Sequence, residues 1–160
     1  MKILFLFCDM LRADFFNTYN TKCPSNELDS WFKKIGGTAY TNAYSPAPDT
    51  ARSLACLFTG KYPKNHGCQK RIHYPEYFLR DDIDNIFKLL LDKDFKIFVR
   101  EVYAEKACGI LPGNIATNSS IYRDSDLSTV VSKINASIEK DENSFSFISL
   151  PDSHWACDDY

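Results

Sequence analysis

Apolar residues along the chain fall into two rhythms. Ile3-Leu-Phe-Leu-Phe-Cys8 is a continuous apolar run without alternation, the pattern of a parallel strand covered on both faces. From Ser25 to Ile35 the period changes. Leu28, Phe32 and Ile35 share a helical face, Ser25 stands where a cap belongs, and Gly36-Gly37 supplies a stop. Thr38 to Tyr44 is β-prone, and Ser45-Pro-Ala-Pro48 forces an extended, exposed loop. A helix over Asp49 to Phe58 opens directly from that loop. Asp81 to Leu91 reads as an amphipathic helix with Ile83, Ile86, Phe87, Leu90 and Leu91 on one side. Lys96-Ile-Phe-Val-Arg100 reads as a strand. Residues 105–125 read as loop-rich, with a turn at Pro112-Gly113. Ser125 or Asp126 is placed to cap a helix reaching Lys140, and Ser144 to Ser149 forms the last strand, ended by Pro151.

Strands alternating with helices predict an α/β fold, a mainly parallel sheet sandwiched by helices. Sites in such sheets gather at the carboxyl ends of strands. Asp9 lies at that end of the first strand, and Asp152 and His154 lie just past that end of the last. The sequence carries no internal repeat and no low-complexity segment.

Composition narrows the function classes. The chain has 160 residues, 19 Lys plus Arg against 21 Asp plus Glu, and a formal net charge of −2. Hydrophobic residues at 44% and charged residues at 25% are ordinary for a globular protein able to bury a core. The slight acidity argues against non-specific nucleic-acid binding and against docking on anionic membranes. No run approaches the ~18 apolar residues of a membrane span. The six-residue run Ile3–Cys8 meets Asp9 at once and has no small-residue cleavage site, so it reads as a strand rather than a signal peptide. The expected location is the cytoplasm. The six cysteines show neither a C-x-x-C pair nor zinc spacing and are expected as reduced thiols.

Several residues invite chemistry, each beside a plainer role. A carboxylate directly after a buried strand suits a hard metal ion, although Asp9 could equally cap a loop. Thr50 begins a helix, where N–H groups and the dipole favour oxyanions; there it is a nucleophile if a metal lowers its pKa, or simply a cap beside Asp49. Arg12 and Arg52 match a tetrahedral oxyanion, or are solvated surface arginines. His66 lies in a turn-like stretch with a structural reading. His154, in Pro151-Asp-Ser-His-Trp155, sits in a strand-end loop. His73 shows no specific role.

Together these segments resemble a known family. Ile3 to Tyr19, an apolar strand running into Asp9-Met-Leu-Arg-Ala-Asp14, resembles the opening of the sulfatase branch of the alkaline phosphatase superfamily. Asn42-Ala-Tyr-Ser45, then Thr50-Ala-Arg-Ser-Leu-Ala-Cys-Leu-Phe-Thr-Gly-Lys-Tyr-Pro-Lys-Asn-His-Gly67, is similar to its nucleophile segment. Counting back nine residues from Thr59 of the Thr-Gly pair lands on Thr50. Phe145 to His154 is similar to a family strand ending in Asp-x-His. The resemblance implies an alkaline-phosphatase-like fold and metal-dependent hydrolysis or transfer of phosphate or sulfate esters of small molecules, lipids or glycans. It implies Asp9 and Thr50 as metal ligands, Thr50 also as nucleophile, and Arg52 and His154 as catalytic residues. It further implies Arg12 and Asp152 as substrate-binding residues, with Asp14 and His66 in support.

The chain departs from the sulfatase pattern Cys/Ser-x-Pro-x-Arg. Thr50 holds the nucleophile position, Arg52 replaces the proline and Leu54 the arginine. Threonine cannot yield formylglycine, whereas superfamily phosphodiesterases and phosphoethanolamine transferases use it, so phosphoester chemistry is favoured. Thr50-Ala-x-Ser53 with Cys56 resembles the transferases, which are membrane-anchored. The family's second half, with its Asp-His strand end, has no counterpart after Tyr160. Residues 1–160 are thus expected to form the N-terminal part of a catalytic domain, with an unpaired sheet edge open to self-association. An octahedral oxygen site needs about six ligands; carboxylate and hydroxyl suit Ca, Mg or Mn, and His ligands from elsewhere would admit Zn. The alternative is a truncated, non-catalytic module that binds an oxyanion or a partner chain. A nucleotide-binding Rossmann-like domain is disfavoured, since no G-x-G-x-x-G follows the first strand.

Overall fold

The computed structural model describes residues 1–68, 79–80, 82–100 and 118–151. Four strands form one all-parallel sheet: β1 (Lys2–Cys8), β2 (Lys96–Arg100), β3 (Ile121–Asp124) and β4 (Ser144–Leu150), in the order β1-β4-β2-β3. The expected α/β class is present. Lys2 pairs with Ser144 and Cys8 with Leu150, so β1 and β4 run in step and end together. The helices are α1 (Glu27–Ile35), α2 (Thr50–Thr59), the single turn α3 (Pro63–His66), α4 (Ile86–Leu91) and α5 (Leu127–Glu139).

Period two along the strands sorts side chains to opposite faces. Phe145 and Phe147 of β4 and Ile97 and Val99 of β2 face α2 and α4; Ala51, Leu54, Ala55, Phe58 and Phe87 complete that core. Phe98 and Ile148 face the other way, against Val130 of α5. Aromatic rings fasten the first layer. Phe58 meets Phe147 edge-on at 5.2 Å and Phe87 at 4.8 Å between centroids, and Phe5 stacks on Phe147 at 5.6 Å. Such pairs each add about 0.5–1.5 kcal/mol beyond buried area.

The structure corrects several expectations. β1 is an edge strand of the described sheet. Its Ile3, Phe5 and Phe7 pack on the α2 layer, but Leu4 and Leu6 are 61% and 45% exposed, so the run is not covered on both faces. β4 is, being buried along nearly its whole length. Thr38–Tyr44 forms no strand; among the described residues no strand pairs with its β-branched and aromatic residues. The helix expected from Asp81 shrinks to Ile86–Leu91, because Asn85 caps it by accepting from the Lys88 N–H. Residues 121–124, read as loop, pair in parallel with β2. Helix α5 is capped by Asp126, not Ser125. Helix α1 is capped by Asn26, not Ser25, in a reciprocal box with Asp29. Pro112-Gly113 lies outside the described residues.

Asp29 does more than cap. Fully buried, it accepts from the Asn17 and Thr18 N–H groups and the Thr18 hydroxyl at 3.0–3.1 Å, and from the Asn26 N–H at 3.2 Å. Burial works to raise its carboxyl pKa, but these donors outweigh it and hold the group below the ordinary carboxylate range. Its contribution to stability is therefore complete above the ordinary aspartate pKa and is lost as pH falls through the lower folded value. Asp29→Asn lowers the thermal midpoint at neutral pH, and the gap to the parent narrows on acidification. A gap independent of pH in thermal melts would remove this role.

Candidate active site

The parallel register delivers Asp9 to the carboxyl edge of the sheet. The Asp9 N–H donates to the Leu150 carbonyl at 3.2 Å, extending the pairing of β1 and β4 by one residue. The chain then turns sharply. Met10 takes φ +61°, a left-handed conformation uncommon for a residue with a side chain, and its N–H donates back to Asp9 Oδ1 at 3.0 Å. The other carboxylate oxygen receives Thr50, whose Oγ1–H donates to Asp9 Oδ2 at 3.1 Å. Residues 41 positions apart in sequence thus meet at the start of α2. Both are half-buried.

Helix α2 starts at Thr50 because Asp49 caps it, accepting the Arg52 N–H on Oδ1 at 3.0 Å. It stops at Gly60, which takes φ +65° and donates its N–H to the Cys56 carbonyl. Two serines hold the entry loop: Ser45 Oγ and Ser53 Oγ lie 2.7 Å apart, and both approach the Ala47 carbonyl at 2.8 Å. One turn along α2 from Thr50, an open groove of about 560 Å³ begins, lined by Phe7, Tyr44, Ser53, Leu57 and Tyr62 among others.

Both candidate arginines are engaged with carboxylates. The Arg52 guanidinium pairs with Asp49 Oδ2 through Nε and Nη2, and that hydrogen bond raises the arginine pKa further. Arg12 forks onto Asp14, Nε to Oδ1 at 3.0 Å and Nη2 to Oδ2 at 2.6 Å, with its guanidinium carbon 5.3 Å from the Phe15 ring centroid. This pair is exposed to solvent. Asp152, His154 and His73 lie outside the described residues.

Beneath α2 sits a group the sequence reading left as a turn. His66 is fully buried at the end of α3. Its Nδ1 accepts the Cys68 N–H at 3.1 Å, and its Nε2 lies 3.3 Å from Cys56 Sγ. With Nδ1 as acceptor, the neutral ring carries its proton on Nε2 and points it at the sulfur. Burial lowers the His66 pKa and raises that of Cys56. It also pushes Cys68 up to about 11, helped by Asp49. The cluster is neutral and bolts the segment after α2 to the helix. No disulfide joins Cys8, Cys23, Cys56 and Cys68 to one another. The signal for this cluster, His66 ten residues after Cys56 and two before Cys68, has no recognisable spacing.

The donor set at Asp9 and Thr50 fits a hard divalent cation, since both atoms are oxygens in mutual contact. Among the described residues no group of three or more His, Cys, Asp or Glu side chains could hold a metal ion. No helix among those residues is long and apolar enough to cross a membrane.

The His66 arrangement predicts the effect of removing it. His66→Ala leaves the Cys68 N–H without its acceptor and opens a cavity, at a cost of about 2–4 kcal/mol. Urea unfolding measures this; a midpoint equal to the parent's would show the cluster to be dispensable.

No curated protein and no solved structure gives a significant match. A family model described as Sulfatase matches residues 2–160, essentially the whole chain. A sulfatase domain carries ester hydrolysis of the sulfatase type, and family members typically use a divalent metal. A match over this span shows that the chain belongs to the sulfatase family.

Proposed function

We propose that this chain hydrolyses or transfers phosphate or sulfate esters, phosphoesters by preference, with Thr50 as nucleophile. The observation that carries the reading is the Thr50 Oγ1–Asp9 Oδ2 hydrogen bond at the sheet's carboxyl edge, on the first turn of a ten-residue helix. The Asp9 carboxylate fixes the direction of the hydroxyl and offers its proton an acceptor. Thr50 Oγ1 forms a bond to phosphorus or sulfur as the bond to the leaving oxygen breaks. Water or a second alcohol then releases the ester from Thr50. The N-terminal N–H groups of α2 favour negative charge at that point, and Arg52, the second candidate catalytic residue, stands on the same turn with its guanidinium paired to Asp49. Asp9 and Thr50 would hold a divalent cation (Ca, Mg, Mn or Zn), which lowers the pKa of the hydroxyl. On the resemblance alone, His154 serves the leaving group, and Arg12 and Asp152 the substrate. The largely apolar groove beside α2 supports an ester with an apolar alcohol.

Threonine supports phosphoester chemistry, because the extra methyl prevents formation of the formylglycine on which sulfatases with Cys or Ser rely. Thr50→Ala lowers turnover of the preferred aryl phosphate, phosphodiester or sulfate by more than about a thousandfold. Asp49 still caps α2 in that variant, so its thermal midpoint stays near the parent's. The assay is run with Ca, Mg, Mn and Zn in turn. Parent-level turnover in Thr50→Ala would remove Thr50 as nucleophile. Oxyanion binding without turnover of any ester by the parent would favour the non-catalytic binding module instead.

A further inference from the structure

Two carboxylates accompany Thr50: Asp9 at its hydroxyl and Asp49, the preceding residue, which caps the helix that Thr50 begins. Asp9 takes the hydroxyl itself. Asp49, the preceding residue, lies over the first turn of α2, with Oδ1 on the Arg52 N–H and Oδ2 on the Arg52 guanidinium. The pair is well shielded, the Asp49 and Arg52 side chains being 13% and 30% exposed. Asp49 therefore uses the N–H and the guanidinium that would otherwise be available to an incoming oxyanion, and it leaves its own negative charge beside the nucleophile. Arg12, on the other segment that builds the site, is likewise matched by Asp14. Over residues 9–14 and 49–52, Asp9, Asp14 and Asp49 stand against Arg12 and Arg52, an excess of one negative charge on these two segments before any cation is added.

We propose that Asp49 is a charge-selecting residue. It disfavours doubly charged phosphate monoesters and leaves the site to tetrahedral esters bearing one negative charge, phosphodiesters or sulfate monoesters. The proposal rests on the reading of Thr50 as the reacting residue. Its physical basis is Coulombic. A monoester dianion meets one more unit of repulsion from Asp49 than a diester of the same shape. Screened by a partly solvated site, one such unit of repulsion is worth about fivefold in relative affinity. A cation at Asp9 would raise the affinity for both kinds of ester without removing the difference that Asp49 makes between them.

The test compares the parent with Asp49→Asn, since asparagine caps a helix as well as aspartate does. One aryl alcohol is presented as its phosphate monoester, its methyl phosphodiester and its sulfate. The expected result is a parent that favours the singly charged esters in kcat/KM, and a variant in which the monoester gains about fivefold on the diester. A ratio cancels any loss of folded protein, so a merely structural role would not move it. A ratio unmoved by Asp49→Asn, or a parent that favours the dianion, overturns the proposal while Thr50-dependent turnover stands. Calorimetry gives a readout without turnover. Methanesulfonate and methylphosphonate, similar in shape but singly and doubly charged at alkaline pH, are titrated into the parent and into Asp49→Asn. Preference for the sulfonate that Asp49→Asn abolishes supports charge selection even if no ester is hydrolysed, which would remove the nucleophile reading alone. Equal affinity for the two anions, or none for either, overturns the proposal.

Discussion

The site depends on how α2 lies against the sheet. Asp9 and Thr50 belong to segments that share no local structure, and their hydrogen bond forms only if the helix starts where β1 ends. Two features set that meeting point. Small residues on the inner face of α2, Ala51 and Ala55, let the helix backbone approach the strands. Phe58, at the far end, is wedged edge-on between Phe147 and Phe87 and fixes the tilt and the position along the axis. β1, for its part, is fixed by its register with β4 and by the Asp9 N–H on Leu150. Packing at this density resists sliding by even a fraction of a turn.

Charge is handled by local pairing rather than by a general field. Arg52 is held by the residue that caps its own helix, and Arg12 by a carboxylate two positions away. The exposed Arg12–Asp14 pair is weak in free-energy terms, as surface ion pairs are, but it does set where that guanidinium sits. The buried groups beneath α2 follow the opposite rule. Burial lowers the His66 pKa and raises those of Cys56 and Cys68, which favours the neutral form of each, so the ground under α2 carries no net charge. The polarity of the site therefore comes from its rim, from Asp9, Asp49 and the open turn of the helix.

Local signals were legible where they acted locally. Asp49 after Pro48 and Asp126 before Leu127 mark helix starts through the capping hydrogen bond, and each was one of two neighbouring candidates that the sequence offered. Lys96–Arg100 is a strand as its apolar run suggests. Other elements depended on neighbours that a one-dimensional pattern does not contain. Ile3–Cys8 looks doubly covered, yet Leu4 and Leu6 face solvent because α5 lies over β2, β3 and β4 instead. Ser144–Leu150 alternates serine with phenylalanine, the signature of a half-exposed strand, yet it is buried on both sides as a central strand. Ile121–Asp124 becomes a strand only because β2 lies beside it. Thr38–Tyr44, with comparable β-propensity, has no such neighbour among the described residues and stays irregular.

The sequence by itself determined the α/β class and the family, and it marked Asp9 and Thr50 as candidates for a site, since these follow from hydrophobic period, capping chemistry and motif spacing. Tertiary structure decided which of those residues meet. It joined Asp9 to Thr50 across 41 positions, matched Arg12 and Arg52 to carboxylates, and buried His66 between two cysteines. The reason is physical. Period and capping arise from groups a few residues apart, whereas a hydrogen bond between distant segments, or the neutral state of a buried imidazole, arises only when packing has excluded water from both.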